Sequence, residues 1–281
     1  MRIFLMLALL LAALLLNSAT TIAQSSHYLW LENYSGYDTL SNRIPAPRGY
    51  VRIEAKDGSF ADWIRHLPLK PGNPSIKLHN GLRAAFQDHH CAIVEIDVGS
   101  KDLQQCADAI IRFRAEYLYT IGKSRQIAFN FTSGDRADFY LWAEGYRPTV
   151  NGNTVSWQKS APVDSSYRSL RAYIDIVFAY AGTYSLSKEL QVVEKADDVE
   201  IGDILVLPGF PGHAVMVADV AANLQTGERV FLLIQGFSPA QDIHLLINES
   251  NPELSPWFSI SSDTPVKVLW YEFTRDHLRR F

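Results

Sequence analysis

The sequence has few cysteines and no long apolar segment beyond its first residues. Cys91 and Cys106 are the only cysteines among 281 residues, so a disulfide framework does not stabilise the fold. After residue 23, no apolar run approaches the roughly 20 residues that a membrane-spanning helix needs. The composition also excludes collagen-like and coiled-coil classes, and there is no internal repeat.

Neither sign of charge is in large excess. The formal net charge is −4, from 26 basic and 30 acidic side chains. A general nucleic-acid binder would carry a basic face, so this class is disfavoured. Apolar residues make up 47% of the chain, which excludes a mostly disordered protein. The length allows one or two domains, and we predict one because no clear boundary divides the chain.

The first 23 residues have the pattern of a secretory signal peptide. Arg2 precedes the apolar run Ile3–Leu16, and small residues at 21–23 offer a cleavage site. The run is short for a membrane anchor, which is the alternative. We therefore predict an exported protein with no stable membrane span after cleavage. Residues 24–42 are predicted as an extended leader and 43–281 as a single domain.

Hydrophobic periodicity predicts two principal helices and several strands. One helix follows a capping box formed by Asp102 and Gln105 and runs to about Thr120. The other covers residues 166–181. Strands are predicted at 91–98, 127–131, 146–150, 154–157, 204–207, 213–220, 230–235, 243–247 and 266–273. The predicted fold class is α+β, a mostly antiparallel sheet with a central cysteine-bearing helix.

Three residues are candidates for one catalytic group. Cys106 lies in the first turn of its helix, where free N–H groups and the helix dipole favour a thiolate. His213 begins a strand after a turn rich in glycine and proline, so its ring can face a cleft. Gln235 ends the next strand. Because a cysteine nucleophile needs a histidine and a group that orients it, we predict Cys106 as nucleophile, His213 as base and Gln235 as orienting residue.

The order of these residues resembles the NlpC-type branch of the papain-like cysteine hydrolases. Those are exported bacterial enzymes that cleave amide bonds in cell-wall peptides. The resemblance covers Cys106 with its helix and the stretch 203–235. It implies an NlpC/papain-like core and a cell-envelope peptide or glycan-peptide substrate. The interval between the cysteine and the histidine is longer than in that branch, which implies a long insertion.

A second resemblance covers nearly the whole chain. Residues 102–119 (DLQQCADAIIRFRAEYLY), 211–214 (PGHA) and 235–241 (QGFSPAQ) are similar to hallmarks of an exported bacterial family of unknown function, number 4846. The similarity extends from roughly Arg43 to the C-terminus. It implies export in a bacterium, to the periplasm or the cell surface, and supplies no reaction.

Several residues have alternative interpretations. Cys106 lies on the apolar stripe of its helix, so it is either a core residue, a nucleophile or a partner of Cys91 in a disulfide. Gln105 is either a cap or an oxyanion donor. Arg112 either belongs to a solvated helix face, forms a buried ion pair, or contacts a substrate carboxylate. His89 and Cys91 offer too few ligands for zinc, so neither a metal nor a cofactor is predicted.

Three functions therefore remain open. The leading one is an exported cysteine hydrolase that cleaves an amide bond in a peptidoglycan-type peptide. The alternative is a non-catalytic envelope binding or structural protein on the same scaffold. The third is a disulfide-stabilised domain whose Gly-His turn binds a partner.

Overall fold

The computed structural model describes residues 28–34, 36–195, 198–260 and 264–281. The predicted signal peptide lies outside these ranges and stays a prediction. Within them, no helix is both long and apolar enough to cross a membrane.

The described residues form six α-helices and fourteen β-strands. The helices are α1 (Leu40–Arg43), α2 (Phe60–Arg65), α3 (Cys106–Thr120), α4 (Phe139–Ala143), α5 (Tyr167–Tyr180) and α6 (Thr183–Glu189). The strands are β1 (Tyr50–Arg52), β2 (His90–Ile93), β3 (Ala128–Asn130), β4 (Arg136–Asp138), β5 (Tyr146–Asn151), β6 (Thr154–Lys159), β7 (Gln191–Val192), β8 (Ile204–Leu207), β9 (His213–Asn223), β10 (Arg229–Gln235), β11 (His244–Leu246), β12 (Val266–Val268), β13 (Tyr271–Phe273) and β14 (Leu278–Arg280).

One antiparallel sheet organises the fold. Its strand order is β2-β11-β10-β9-β8-β14-β7, and β1 also pairs with β9. The central strand β9 is almost entirely buried, because its apolar side chains are covered on both faces. Helix α3 packs against β9 and β10 and buries Ile110, Ile111 and Phe113. The predicted α+β class, with its mostly antiparallel sheet and central cysteine-bearing helix, is confirmed.

Helix α3 ends where periodicity predicts but begins later. Its first residue is Cys106 and its N-cap is Gln105, whose backbone N–H donates to the Asp108 carboxylate over 3.0 Å. The predicted cap, Asp102, instead accepts the backbone N–H of Ala240 over 2.6 Å. The cap is therefore displaced by three residues, because a distant segment takes the acceptor that the local pattern assigned to the helix.

The C-terminal strands differ from the prediction. Residues 266–273 do not complete the main sheet but form a separate antiparallel hairpin of β12 and β13. Strand β14, which was not predicted, fills the position between β8 and β7. Sheet position depends on long-range pairing, so local sequence gives little information about it.

Part of the predicted leader belongs to the core. Residues 40–43 form α1, and both Leu40 and Tyr28 are buried. The Tyr28 hydroxyl donates to the carbonyl oxygen of Trp63 over 2.8 Å, and the two rings pack with centroids 5.1 Å apart. These contacts give the leader segment a fixed place against α2, which its polar, turn-rich sequence did not indicate.

Candidate active site

A cleft of about 450 Å³ separates the start of α3 from the turn that precedes β9. Both Cys106 and His213 line it, although 106 residues lie between them in the sequence. The hairpin of β12 and β13 contributes another wall through Trp270 and Tyr271. The structure thus brings the predicted nucleophile and the predicted base into one cavity.

The position of Cys106 follows from its place at the helix start. It is the first residue of α3 and remains partly exposed. The backbone N–H groups of Ala214, Ala107 and Cys106 itself act on the sulfur in the direction that lowers the pKa of the thiol. Because Ala214 directly follows His213, the thiol lies beside the strand that carries the histidine.

Two glycines permit this close approach. A Cβ atom at Gly236 would stand 2.6 Å from the carbonyl oxygen of Gln105, so only glycine lets the helix start approach the end of β10. A Cβ atom at Gly212 would stand 2.6 Å from the carbonyl oxygen of Leu207, in the turn before His213. Both glycines therefore remove side-chain volume at the points where the cysteine helix meets the sheet and where the histidine strand begins.

His213 is buried and held on two sides. Its Nε2 lies 2.7 Å from Oε1 of Gln235, and its ring stacks on Tyr271 with centroids 4.4 Å apart. An amide oxygen can only accept a hydrogen bond, so Nε2 must carry the proton. In the neutral ring Nδ1 then keeps its lone pair, which is the form that a general base requires.

The resting charges differ from the sequence-based expectation. Burial raises the pKa of the Cys106 thiol to about 11, although the backbone N–H groups act in the opposite direction. Burial lowers the pKa of His213 to about 4, against the hydrogen bond that the ring donates to Gln235. The helix terminus was predicted to favour a thiolate, but loss of hydration outweighs it. The group therefore rests as a neutral thiol and a neutral imidazole.

Asp108 is a cleft residue that sequence reasoning missed. It lies one helical position beyond Ala107, it is buried, and its Oδ1 has no hydrogen-bond partner. Burial raises the pKa of its carboxyl group to about 8. An acid at the third position of a helix commonly bonds back to the N-cap, so the correct cap assignment would have drawn attention to it.

Asp108 gives the fold a testable pH dependence. Its folded-state pKa lies above the ordinary carboxyl value, so its stabilising contribution is present at low pH and is lost as the pH rises through about 8. Between pH 7 and pH 9, the wild-type protein should lose roughly 1 kcal/mol of unfolding free energy relative to Asp108→Asn, which cannot ionise. Urea unfolding at both pH values measures this difference. An unchanged difference between the two proteins would contradict the assignment, and Asp102→Asn serves as the control.

The two weaker candidates separate in the structure. Gln105 lines the cleft, and its side-chain amide donates to Oδ1 of Asp102 over 3.2 Å. Arg112 does not line it. Its guanidinium is fully buried and donates to Asp97, Gln104 and Glu116. Arg112 therefore forms a buried ion pair. Its position outside the cleft does not fit the alternative, a contact with a substrate carboxylate.

Both cysteines are free thiols. Cys91 lies in the edge strand β2, and its sulfur is 3.9 Å from the carbonyl oxygen of Leu245. The structure therefore does not contain the alternative disulfide between Cys91 and Cys106. Across the described residues, no three histidine, cysteine, aspartate or glutamate side chains are grouped as metal ligands.

Aromatic side chains form much of the cleft wall. Phe210 is 82% exposed and Trp270 59% exposed, while Tyr271 covers the histidine ring. Trp270 also packs against Phe237, with ring centroids 5.6 Å apart. Sequence reasoning placed 266–273 in the main sheet, so it gave no indication that this hairpin contributes to the site.

These features define an α+β protein that carries a Cys-His-Gln group in an aromatic-walled cleft. The chain belongs to a family described as a domain of unknown function (4846), whose sequence model matches residues 40–280. The prediction of this family is thus confirmed. No curated protein and no solved structure matched the chain. The resemblance to the NlpC-type hydrolases stays a prediction.

Proposed function

We propose that this protein is an exported cysteine hydrolase that cleaves an amide bond in a cell-envelope peptide of the peptidoglycan type. One observation carries the proposal: Cys106 and His213 line the same cleft, and Nε2 of His213 bonds the Gln235 amide oxygen, which leaves Nδ1 as the nitrogen that can accept a proton. Nucleophile, base and orienting group are the three parts that such a reaction needs. The substrate class rests on the resemblance and on the predicted export.

The chemistry follows from the protonation states. Nδ1 of His213 takes the thiol proton as the Cys106 sulfur attacks the substrate carbonyl carbon. The C–N bond then breaks, the imidazolium returns the proton to the leaving amine, and a thioester remains on the sulfur. Water, deprotonated by the same histidine, attacks the thioester and releases the acid and the free thiol.

The helix terminus supplies stabilisation for the transition state. The backbone N–H groups of Cys106 and Ala107 at the start of α3 favour negative charge at the Cys106 sulfur, next to the point where the negative oxygen of a tetrahedral intermediate would form. The Gln105 amide lines the same cleft and is a second candidate donor. Fixed N–H dipoles stabilise charge that develops in the reaction, even though they do not overcome the cost of a resting thiolate.

The walls of the cleft suit a peptide attached to sugar. Flat faces of Trp270 and Phe210 are exposed at the cleft, and aromatic rings pack on apolar faces of a ligand. Polar side chains from Thr183, Ser238 and Asp102 stand among them and offer hydrogen bonds. A substrate with alternating apolar and polar groups fits such a lining better than a purely aliphatic one.

Digestion of purified bacterial peptidoglycan tests the proposal. Soluble fragments from wild-type digestion should contain products that have gained one water across an amide bond, as seen by mass spectrometry. Cys106→Ala should release none of them, whereas Cys91→Ala, the matched cysteine outside the cleft, should retain the activity. Equal product from Cys106→Ala and wild type would overturn the cysteine mechanism.

The resting charges favour one second candidate. A thiol with its pKa raised to about 11 and an imidazole with its pKa lowered to about 4 are also expected in an inert, buried pair. A non-catalytic envelope-binding protein would have this property. It would co-sediment with peptidoglycan in both the wild-type and Cys106→Ala forms and would release no product.

A further inference from the structure

The hydrogen bonds of the catalytic group continue into the sheet beyond Gln235. Nε2 of Gln235 lies 3.0 Å from Nε2 of His244, which is the Cα partner of Gln235 on the neighbouring strand β11. Nδ1 of His244 is 2.8 Å from the carbonyl oxygen of Asp242. On the far side, Nε2 of His89 is 3.0 Å from Nε2 of His244. This buried row consists of His213, Gln235, His244 and His89, and its two middle members are 2% exposed or less.

The backbone carbonyl at one end determines where the protons are. Because the Asp242 carbonyl can only accept, Nδ1 of His244 carries a proton. Burial keeps this ring neutral, with its pKa lowered to about 3, so its Nε2 is an acceptor. Gln235 must then present its N–H group to His244 and its oxygen to His213. The orientation of the Gln235 amide is therefore set by His244.

We propose that His244 is a positioning residue for the catalytic group, acting through Gln235 to hold His213 as the Nε2-protonated tautomer. If the acceptor on His244 is removed, the N–H group of Gln235 has no hydrogen bond on that side to fix the orientation of the amide. A rotated amide would present N–H to Nε2 of His213 and place the ring proton on Nδ1, where it blocks base chemistry. The catalytic consequence rests on the proposed function, whereas the tautomer does not.

Two substitutions separate positioning from simple packing. His244→Leu fills the site but removes the acceptor, and His244→Gln keeps an oxygen that can accept near the position of Nε2. Protein labelled with [15N]histidine gives the tautomer of His213 directly from its two ring-nitrogen shifts, without any substrate. Release of peptidoglycan fragments gives kcat and KM for the same variants. His66→Leu, a partly exposed histidine in a different hydrogen-bonded pair with Asp62, is the matched control.

In wild type and His66→Leu, His213 should be protonated at Nε2. In His244→Leu the Nδ1-protonated form should appear, with kcat lowered at least about tenfold and KM little changed. His244→Gln should restore both the tautomer and most of kcat. A folded His244→Leu protein that keeps His213 fully Nε2-protonated would overturn the proposal. If His244→Leu does not fold, the proposal fails when His244→Gln shows the Nδ1-protonated tautomer.

Failure of the proposed function gives a different result. If no variant and no wild-type protein releases peptidoglycan fragments, the hydrolase assignment is lost. The nuclear magnetic resonance readout then still decides whether His244 sets the tautomer. The two proposals therefore fail on separate measurements.

Discussion

Replacing His213 by alanine should slow peptidoglycan amide hydrolysis by about 10²–10⁴-fold, the usual contribution of a general base. We expect an effect at the upper end of this range because burial raises the pKa of the Cys106 thiol to about 11. At neutral pH almost no thiolate exists without a base to take the proton. The measurement is the initial rate of fragment release by wild type and His213→Ala at equal folded concentration.

Two controls make the result specific. His66→Ala removes a histidine that is half exposed and should leave the rate within about twofold, as for most surface changes. His213→Gln keeps a group that can donate to Gln235, so it preserves the buried hydrogen bond while removing the base. If a folded His213→Gln protein hydrolyses peptidoglycan at the wild-type rate, His213 is not the base.

Arg112→Ala should lower the free energy of unfolding by about 3–5 kcal/mol, because the buried Glu116 carboxylate loses its fully buried cation and keeps only the Tyr167 hydroxyl and the more distant Arg171. Arg112 and Glu116 are both fully buried, and the guanidinium also holds the Asp97 and Gln104 side chains. Burial already raises the pKa of Glu116 despite the positive charge beside it. Urea unfolding at pH 7 measures the loss.

A matched surface pair shows what burial contributes. Arg136 bonds Asp138 over 2.9 Å, but its side chain is 59% exposed, so Arg136→Ala should cost no more than about 1 kcal/mol. The double variant Arg112→Met with Glu116→Leu should recover much of the stability that Arg112→Ala loses, because neither charge is then left unpaired. Equal losses of unfolding free energy for Arg112→Ala and Arg136→Ala would show that the buried pair stabilises the fold no more than the exposed pair does.

The three residues of the proposed catalytic group could be selected from the sequence because their signals are local. Cys106 at a helix start and His213 after a glycine-rich turn are visible in short stretches of sequence, and Gln235 ends a clearly apolar strand. The helix periodicities located α3 and α5 for the same reason. Each of these predictions needed only neighbours within a few residues.

The parts that were missed depend on distant contacts. His89 and His244 are 155 positions apart in the chain, and only strand pairing reveals that they meet. The wrong prediction of the helix cap has the same cause, since Asp102 accepts a hydrogen bond from the backbone N–H of Ala240, which lies far from it in the sequence. The thiolate prediction failed because the helix dipole is a local property, whereas burial of Cys106 is set by the whole fold.

The hairpin of β12 and β13 lines the cleft but is separate from the main sheet. The main sheet and α3 carry Cys106, His213 and Gln235, whereas the strands of this hairpin pair only with each other and the hairpin contributes Trp270 to the cleft wall. Its tip can therefore change in sequence without altering a single backbone hydrogen bond of the main sheet. Under the proposed function, substitutions at the hairpin tip should therefore change which ligands the cleft accepts and leave Cys106, His213 and Gln235 in place.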